Sequence, residues 1–182
     1  MVKQWLAVAA LAGGAAAGCT SVTAPVDAAG TLFEVEFANY AWVPTYFGFV
    51  IDGEGTIHRF DFEGKTWEGS GRDRLSERDL EAKWRHGAEV TGEVDDGTVE
   101  AMQARVAGAA AGTLTPPQNL CADAGGITYS AYRYDPEARE FQRVILQREG
   151  DVGQVNPSAD ARAIVEWLIS LELVPRIQGC QP

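Results

Sequence analysis

Residues 31–37, Thr-Leu-Phe-Glu-Val-Glu-Phe, alternate Phe33, Val35 and Phe37 with Glu34 and Glu36. A two-residue period cannot keep one face of a helix apolar; it describes a strand with one buried and one wet face. A second strand is expected from about Tyr46 to Asp52 and a third from about Thr56 to Phe62. Gly53-Glu54-Gly55 lies between them, and its glycines can take the positive φ that a tight hairpin needs. The chain therefore commits early to an antiparallel meander.

Helical signals follow. Ser76 can cap a helix, Asp79 sits three residues on, and Leu75 can staple onto Leu80. Leu80 and Trp84 share a face, Lys83, Arg85 and His86 fill the last turn, and Gly87 stops it. A second helix is expected over 97–111 behind Asp95-Asp96, with Val99, Met102, Val106 and Ala110 on one stripe. Strands at about 126–134 and 140–149 are separated by Asp135-Pro136-Glu137-Ala138, and Pro136 suits the second position of that turn. The last helix is expected to start at Asn156-Pro157 and to bury Ala161, Ile164, Val165, Leu168 and Leu171. The order βββααββα predicts an α+β fold: an antiparallel sheet of about five strands with the helices on one face.

The first eighteen residues set a different constraint. Lys3 precedes an apolar run from Trp5 to Gly18, too short to cross a ~30 Å hydrocarbon core but suited to a secretory signal. The chain has three cysteines, Cys19, Cys121 and Cys180. In an oxidising compartment an odd thiol is a liability, so Cys121 and Cys180 are expected to pair once Cys19 is otherwise used. Such a bridge would clamp the last helix to the sheet and close a loop of about 60 residues, worth roughly 4 kcal/mol in the chain-entropy model. An ordinary signal peptide cut after Ala15-Ala16-Ala17 is the competing reading, and cysteine parity argues against it.

Ala16-Ala17-Gly18-Cys19 resembles the lipobox of bacterial lipoproteins, with Ala16 where leucine is usual. The resemblance implies cleavage before Cys19, diacylglycerol on its sulfur, and anchoring in the cell envelope. Thr20, in place of the aspartate that favours inner-membrane retention, implies the outer membrane. Residues 1–18 then form the signal peptide, 19–30 the lipidated cysteine and a tether reaching at most ~40 Å, and 31–182 a single domain.

Charge and motif content exclude several chemistries. Twenty-six acidic against fifteen basic residues give a net charge of −11, which disfavours nucleic acid and anionic headgroups as partners. His58 and His86 lie far apart with no cysteine free to join them, so no metal or cofactor site is expected. Gly69-Ser70-Gly71 lacks the spacing of a serine nucleophile elbow. Asp52–Gly55 and Glu93–Gly97 are acidic loops without the alternating pattern of a calcium site, and their aspartates suit turn and cap roles. No catalytic residue is assigned.

The segment 40–47, Tyr-Ala-Trp-Val-Pro-Thr-Tyr-Phe, is the candidate surface, because Pro44 interrupts sheet pairing and exposed aromatic rings make good interface anchors. Tyr40, Trp42, Tyr46 and Phe47 are its candidate partner-binding residues; the competing reading has these rings filling the core. In element order the domain is similar to emfourin-like proteins, small α+β inhibitors of bacterial metalloproteases. Leu75-Ser76-Glu77-Arg78-Asp79, the strands within 126–149 and the helix over 157–172 carry that similarity. The expected function is a lipid-anchored, non-enzymatic interaction module of the envelope with a protein partner, inhibition of an exported protease being a specific version of it. The alternative is an envelope hydrolase using carboxylates or His58.

Overall fold

The computed structural model describes residues 32–69 and 71–182. The expected signal peptide, Cys19 and the expected tether lie outside the described residues. Nine strands form one antiparallel sheet: β1 (Leu32–Asn39), β2 (Thr45–Ile51), β3 (Thr56–Asp61), β4 (Arg74–Ser76), β5 (Glu89–Glu93), β6 (Gln118–Asn119), β7 (Gly126–Asp135), β8 (Glu140–Gly150) and β9 (Val152–Val155). Their order is β5-β3-β2-β1-β7-β8-β9-β6, with β4 pairing β8 off that path. The helices are α1 (Glu77–Trp84), α2 (Asp96–Gln103), α3 (Val106–Ala111) and α4 (Ala159–Ser170).

The α+β class and the Cys121–Cys180 disulfide are as expected, the bridge joining Cα atoms 5.8 Å apart. The count of about five strands is corrected to nine. The five expected strands are the long ones, β1, β2, β3, β7 and β8. The other four have two to five residues each, too few to display a period, and β5 is exposed along most of its length.

Helices on one face is a second correction. Phe33 and Val35 face α3 and α4, packing with Val106, Ala109, Ala161, Ile164 and Leu168. On the opposite face Leu32, Val50, Phe60, Tyr132 and Phe141 pack under α1 through Leu80 and Trp84, with Trp67 and Leu75. The sheet is covered on both sides, so the wet face expected for Glu34 and Glu36 does not exist.

Local chemistry explains the element boundaries. Ser76 Oγ accepts from the Asp79 amide at 3.1 Å, and Leu75 and Leu80 share one buried cluster, as the capping and staple pattern requires. Asp95 caps α2 through the Thr98 amide at 2.9 Å. The helix expected over 97–111 breaks at Ala104-Arg105, where Arg105 turns to pair with Asp160 of α4 at 3.1 Å. The break moves the buried position from Ala110 to Ala109. The cap of α4 is Ser158, which accepts from Ala161 N at 3.1 Å, and not Asn156. Asn156 instead donates to Ala109 O at 2.8 Å and ties α3 to the start of α4.

Gly48 fixes the spacing on the α1 face. A Cβ there would lie 2.5 Å from the Phe60 ring and 2.6 Å from the Val35 carbonyl oxygen. Gly48→Ala is expected to destabilise the fold by about 1–3 kcal/mol through this overpacking. Thermal unfolding of the variant should show a lower midpoint; an unchanged midpoint would mean that the Phe60 ring and the β1 backbone yield freely.

Candidate functional site

The turn between β1 and β2 projects from the sheet. Trp42 is 86% exposed, Val43 70% and Tyr40 49%, the largest run of exposed apolar side chains among the described residues. No charged residue occurs between Glu36 and Asp52, although charged residues make up 23% of the chain. Its shape is set by side chains: Asn39 Oδ1 accepts from Ala41 N at 2.9 Å, Asn39 Nδ2 donates to Asp123 O at 3.1 Å, and Thr45 Oγ1 donates to Val43 O at 3.3 Å. At the root of this tip a depression of about 340 Å³ opens between Tyr40 and Val152.

The four candidate aromatics thus divide. Tyr40 and Trp42 are surface groups. Phe47 is half-buried, 5.4 Å from the Phe37 ring centroid and 5.9 Å from the Arg59 guanidinium. Tyr46 is a correction: it is 1% exposed and belongs to the core beneath α1. The strand period explains the split, since Thr45 pairs with Asn39 and Tyr46 is the first β2 side chain directed onto the α1 face.

Tyr46 leads to the group that sequence reasoning missed. Four buried charges meet between the sheet and α1: Glu34 and Glu36 from β1, Lys83 from α1 and Arg143 from β8. Lys83 Nζ donates to Glu34 Oε1 at 2.5 Å and to Glu36 Oε2 at 2.7 Å. Arg143 donates to Glu36 Oε1 through Nη2 and to Ser130 Oγ through Nε at 3.0 Å. The remaining Glu34 oxygen accepts from Trp84 Nε1 and Tyr132 OH, both at 3.0 Å, and Tyr46 OH donates to Glu36 at 2.6 Å. Lys83 also lies over aromatic rings, 4.5 Å from Trp67 and 5.1 Å from Phe60. Two anions meet two cations, and among the described residues no buried side-chain polar atom lacks a partner.

Electrostatics separates the two carboxylates. Burial raises Glu34 above the ordinary carboxylate value, with Lys83 opposing it. Burial also pushes on Glu36, but Lys83 and Arg143 outweigh it and hold that carboxyl well below its usual range. Burial and the neighbouring carboxylates drive the Tyr46 and Tyr132 phenols upward, so both stay protonated donors. The signal available in the sequence was β2: Tyr46, Phe47, Phe49, Val50 and Ile51 leave neither face polar, which marks a sheet covered on both sides. Lys83, expected to serve the helix dipole, is instead one of the two cations of this cluster.

His58 is buried on β3, with Nε2 2.9 Å from Asp52 Oδ2. Asp52 Oδ1 accepts from the amides of Glu54 at 3.0 Å and Thr56 at 2.9 Å. Burial alone would raise the Asp52 carboxyl; the hydrogen bonds from His58, Thr56 and Glu54 outweigh it and lower it. The pair locks the β2–β3 turn, and no hydroxyl or thiol bonds His58 among the described residues. The two acidic loops come together, Val94 N donating to Gly55 O at 2.9 Å, while their aspartates remain engaged separately, Asp52 in its turn and Asp95 in its cap. The His86 ring stacks on Phe62 at 4.4 Å. Ser70 lies outside the described residues.

No family model, curated protein or solved structure matches this chain.

Two outcomes test the polar groups. Lys83→Met leaves two buried carboxylates sharing one cation and should cost about 3–5 kcal/mol in urea unfolding. Added Glu34→Gln should recover part of that loss; a single variant as stable as wild type would remove the cluster from the fold's energetics. Asp52 is depressed in the folded state, so its stabilisation is present above the ordinary value of 3.8 and lost as pH falls through the folded value. Asp52→Asn should therefore flatten the acid limb of the unfolding curve below that pH, and an unaltered limb would count against the pairing.

Proposed function

We propose that this chain is a non-enzymatic interaction module of the bacterial cell envelope, anchored by lipid on Cys19, which meets a protein partner through the Tyr40–Val43 tip. The supporting observation is Trp42, 86% exposed at the end of a paired hairpin. Burying such a ring is worth about 1.5–3 kcal/mol, and the fold forgoes it. Interfaces recover that energy, with Trp and Tyr as their usual anchors. The adjoining depression, with Val152 on its far wall, offers room for a side chain of the partner. The absence of charge on the tip suits a desolvated contact centre. Inhibition of an exported protease is a specific form of this reading. The Ala16–Cys19 lipobox and the pairing of the other two cysteines support the anchor.

The decisive comparison is capture from envelope extracts by the domain 31–182 and by its Trp42→Ala, Val43→Ser variant. The variant should lose the partner with unfolding free energy changed by less than about 0.5 kcal/mol. Tyr46→Ala is the unsuitable probe, since it should cost about 3–5 kcal/mol by emptying the core. Equal capture by both proteins would refute the tip; binding to zwitterionic lipid vesicles in place of any protein would reassign it to the membrane surface. Fatty-acid labelling of wild type but not of Cys19→Ala tests the anchor.

A further inference from the structure

The tip is a bent connection, residues 40–44, between two strands whose last pair is Asn39 and Thr45. Asn39 stands at its root and bonds in two directions. Its Oδ1 accepts from Ala41 N within the tip, and its Nδ2 donates to the carbonyl of Asp123, 84 residues away in the chain. Asp123 lies two residues after Cys121 in the loop 120–125 and adopts a left-handed φ of +58°. Gly125, at φ +80°, brings that loop against β1 so closely that a Cβ would sit 2.7 Å from Ala38 O and 2.8 Å from the Asn39 Cβ.

The same loop is held from behind at two places. The Asp151 carboxylate accepts from Ala124 N at 2.9 Å and Gly125 N at 3.2 Å, while Asp151 N donates to Gly125 O at 2.8 Å. On the other side Cys121 is bonded to Cys180 of the C-terminal segment. That segment is itself fixed: Cys180 O accepts from Gly150 N at 2.8 Å, and Arg176 bonds the buried Glu149, which also accepts from Tyr129 OH at 2.7 Å. A continuous covalent and hydrogen-bonded path therefore runs from α4's C-terminal extension through the disulfide to the root of the exposed tip.

We propose that the Cys121–Cys180 disulfide and Asn39 act as positioning groups for the tip, so that the recognition surface is held in its binding shape by a bridge it does not touch. This rests on the reading of the tip as the interaction surface. Preforming a loop removes the ordering cost that its partner would otherwise have to offset, which raises affinity without adding a contact. Asn39 is the coupling element because its two bonds are of different kinds: one shapes the tip and the other ties it to the stapled loop. The disulfide acts on the tip only through that second bond and the Gly125 contact.

Native-state cleavage by chymotrypsin after Tyr40 and Trp42 reads the tip's order directly, with fragments assigned by mass spectrometry. Cleavage elsewhere in the chain reports global unfolding and corrects for it. Asn39→Ala should speed tip cleavage about tenfold, the factor equivalent to about 1.4 kcal/mol. Asn39→Asp keeps the acceptor for Ala41 N but loses the donor to Asp123, and should speed it nearly as much. Cys121→Ser with Cys180→Ser should do the same, and adding Asn39→Asp should bring little further increase, because both act on one path. Wild-type cleavage rates in Asn39→Asp, or fully multiplicative effects in the combined variant, would overturn the proposal. If the cysteine variant does not fold, the Asn39→Asp result decides alone. Partner capture lost in Trp42→Ala but kept in Asn39→Asp would leave the tip's role standing and remove the brace. Accelerated cleavage with capture unaffected by Trp42→Ala would do the reverse.

Discussion

Two carboxylates on one strand, one lysine on a helix and one arginine on a distant strand cancel each other's charge between the sheet and α1. Everything on that side of the molecule depends on the cancellation. Taking four charges out of water costs several kcal/mol each, and no single pair repays it. The repayment comes from completeness: each carboxylate oxygen has its donors, tyrosine and tryptophan groups supply those the cations do not, and Ser130 accepts the Arg143 Nε–H that no carboxylate takes. An apolar layer of equal volume would hold α1 as well or better. What the polar layer adds is direction: Lys83 reaches both glutamates while laying its ammonium over Trp67 and Phe60.

The α+β class, the long strands and the caps of α1 and α2 were legible because they rest on short-range rules: a period of two, a side-chain oxygen three residues before a free amide, a glycine where φ must be positive. The disulfide was legible from parity. Glu34 and Glu36 were misread for a physical reason. Alternation reports that two faces differ, and a glutamate facing water looks the same in sequence as one facing a buried lysine 49 residues away. The short strands escaped because their existence is decided by what β8, β3 and β9 leave unpaired, not by their own composition. The split at Ala104-Arg105 escaped because the group Arg105 meets there, Asp160, lies on another helix.

The tip was half legible. Its aromatic content was visible, and so was the break at Pro44, but the two possible fates of a ring, core or surface, differ by one residue of register. Tyr46 and Trp42 illustrate the point. Tyr46 enters the ladder one residue after Thr45 and falls on the α1 face, where Glu36 takes its hydroxyl. Trp42 sits where neither strand continues, and no face is assigned to it. The stronger sequence signal was the uncharged stretch itself, since a long apolar segment in an acidic chain is expected to be either wholly buried or used.

The hairpin that carries the tip is gripped from both sides of its plane and at its end. On the α1 face Glu34 and Glu36 fix β1, and Tyr46, bonded to Glu36, fixes β2 to the same cluster. On the opposite face Phe33 meets Trp167 of α4 edge-on at 4.9 Å, and Phe37 packs against Phe47. At the turn end Asn39 ties the strand to the loop that the disulfide and Asp151 secure. A surface loop with such a base has little freedom beyond its own few residues. That combination separates the two demands on the molecule. The polar and apolar cores hold the hairpin from below, while Trp42 at its tip stays outside both.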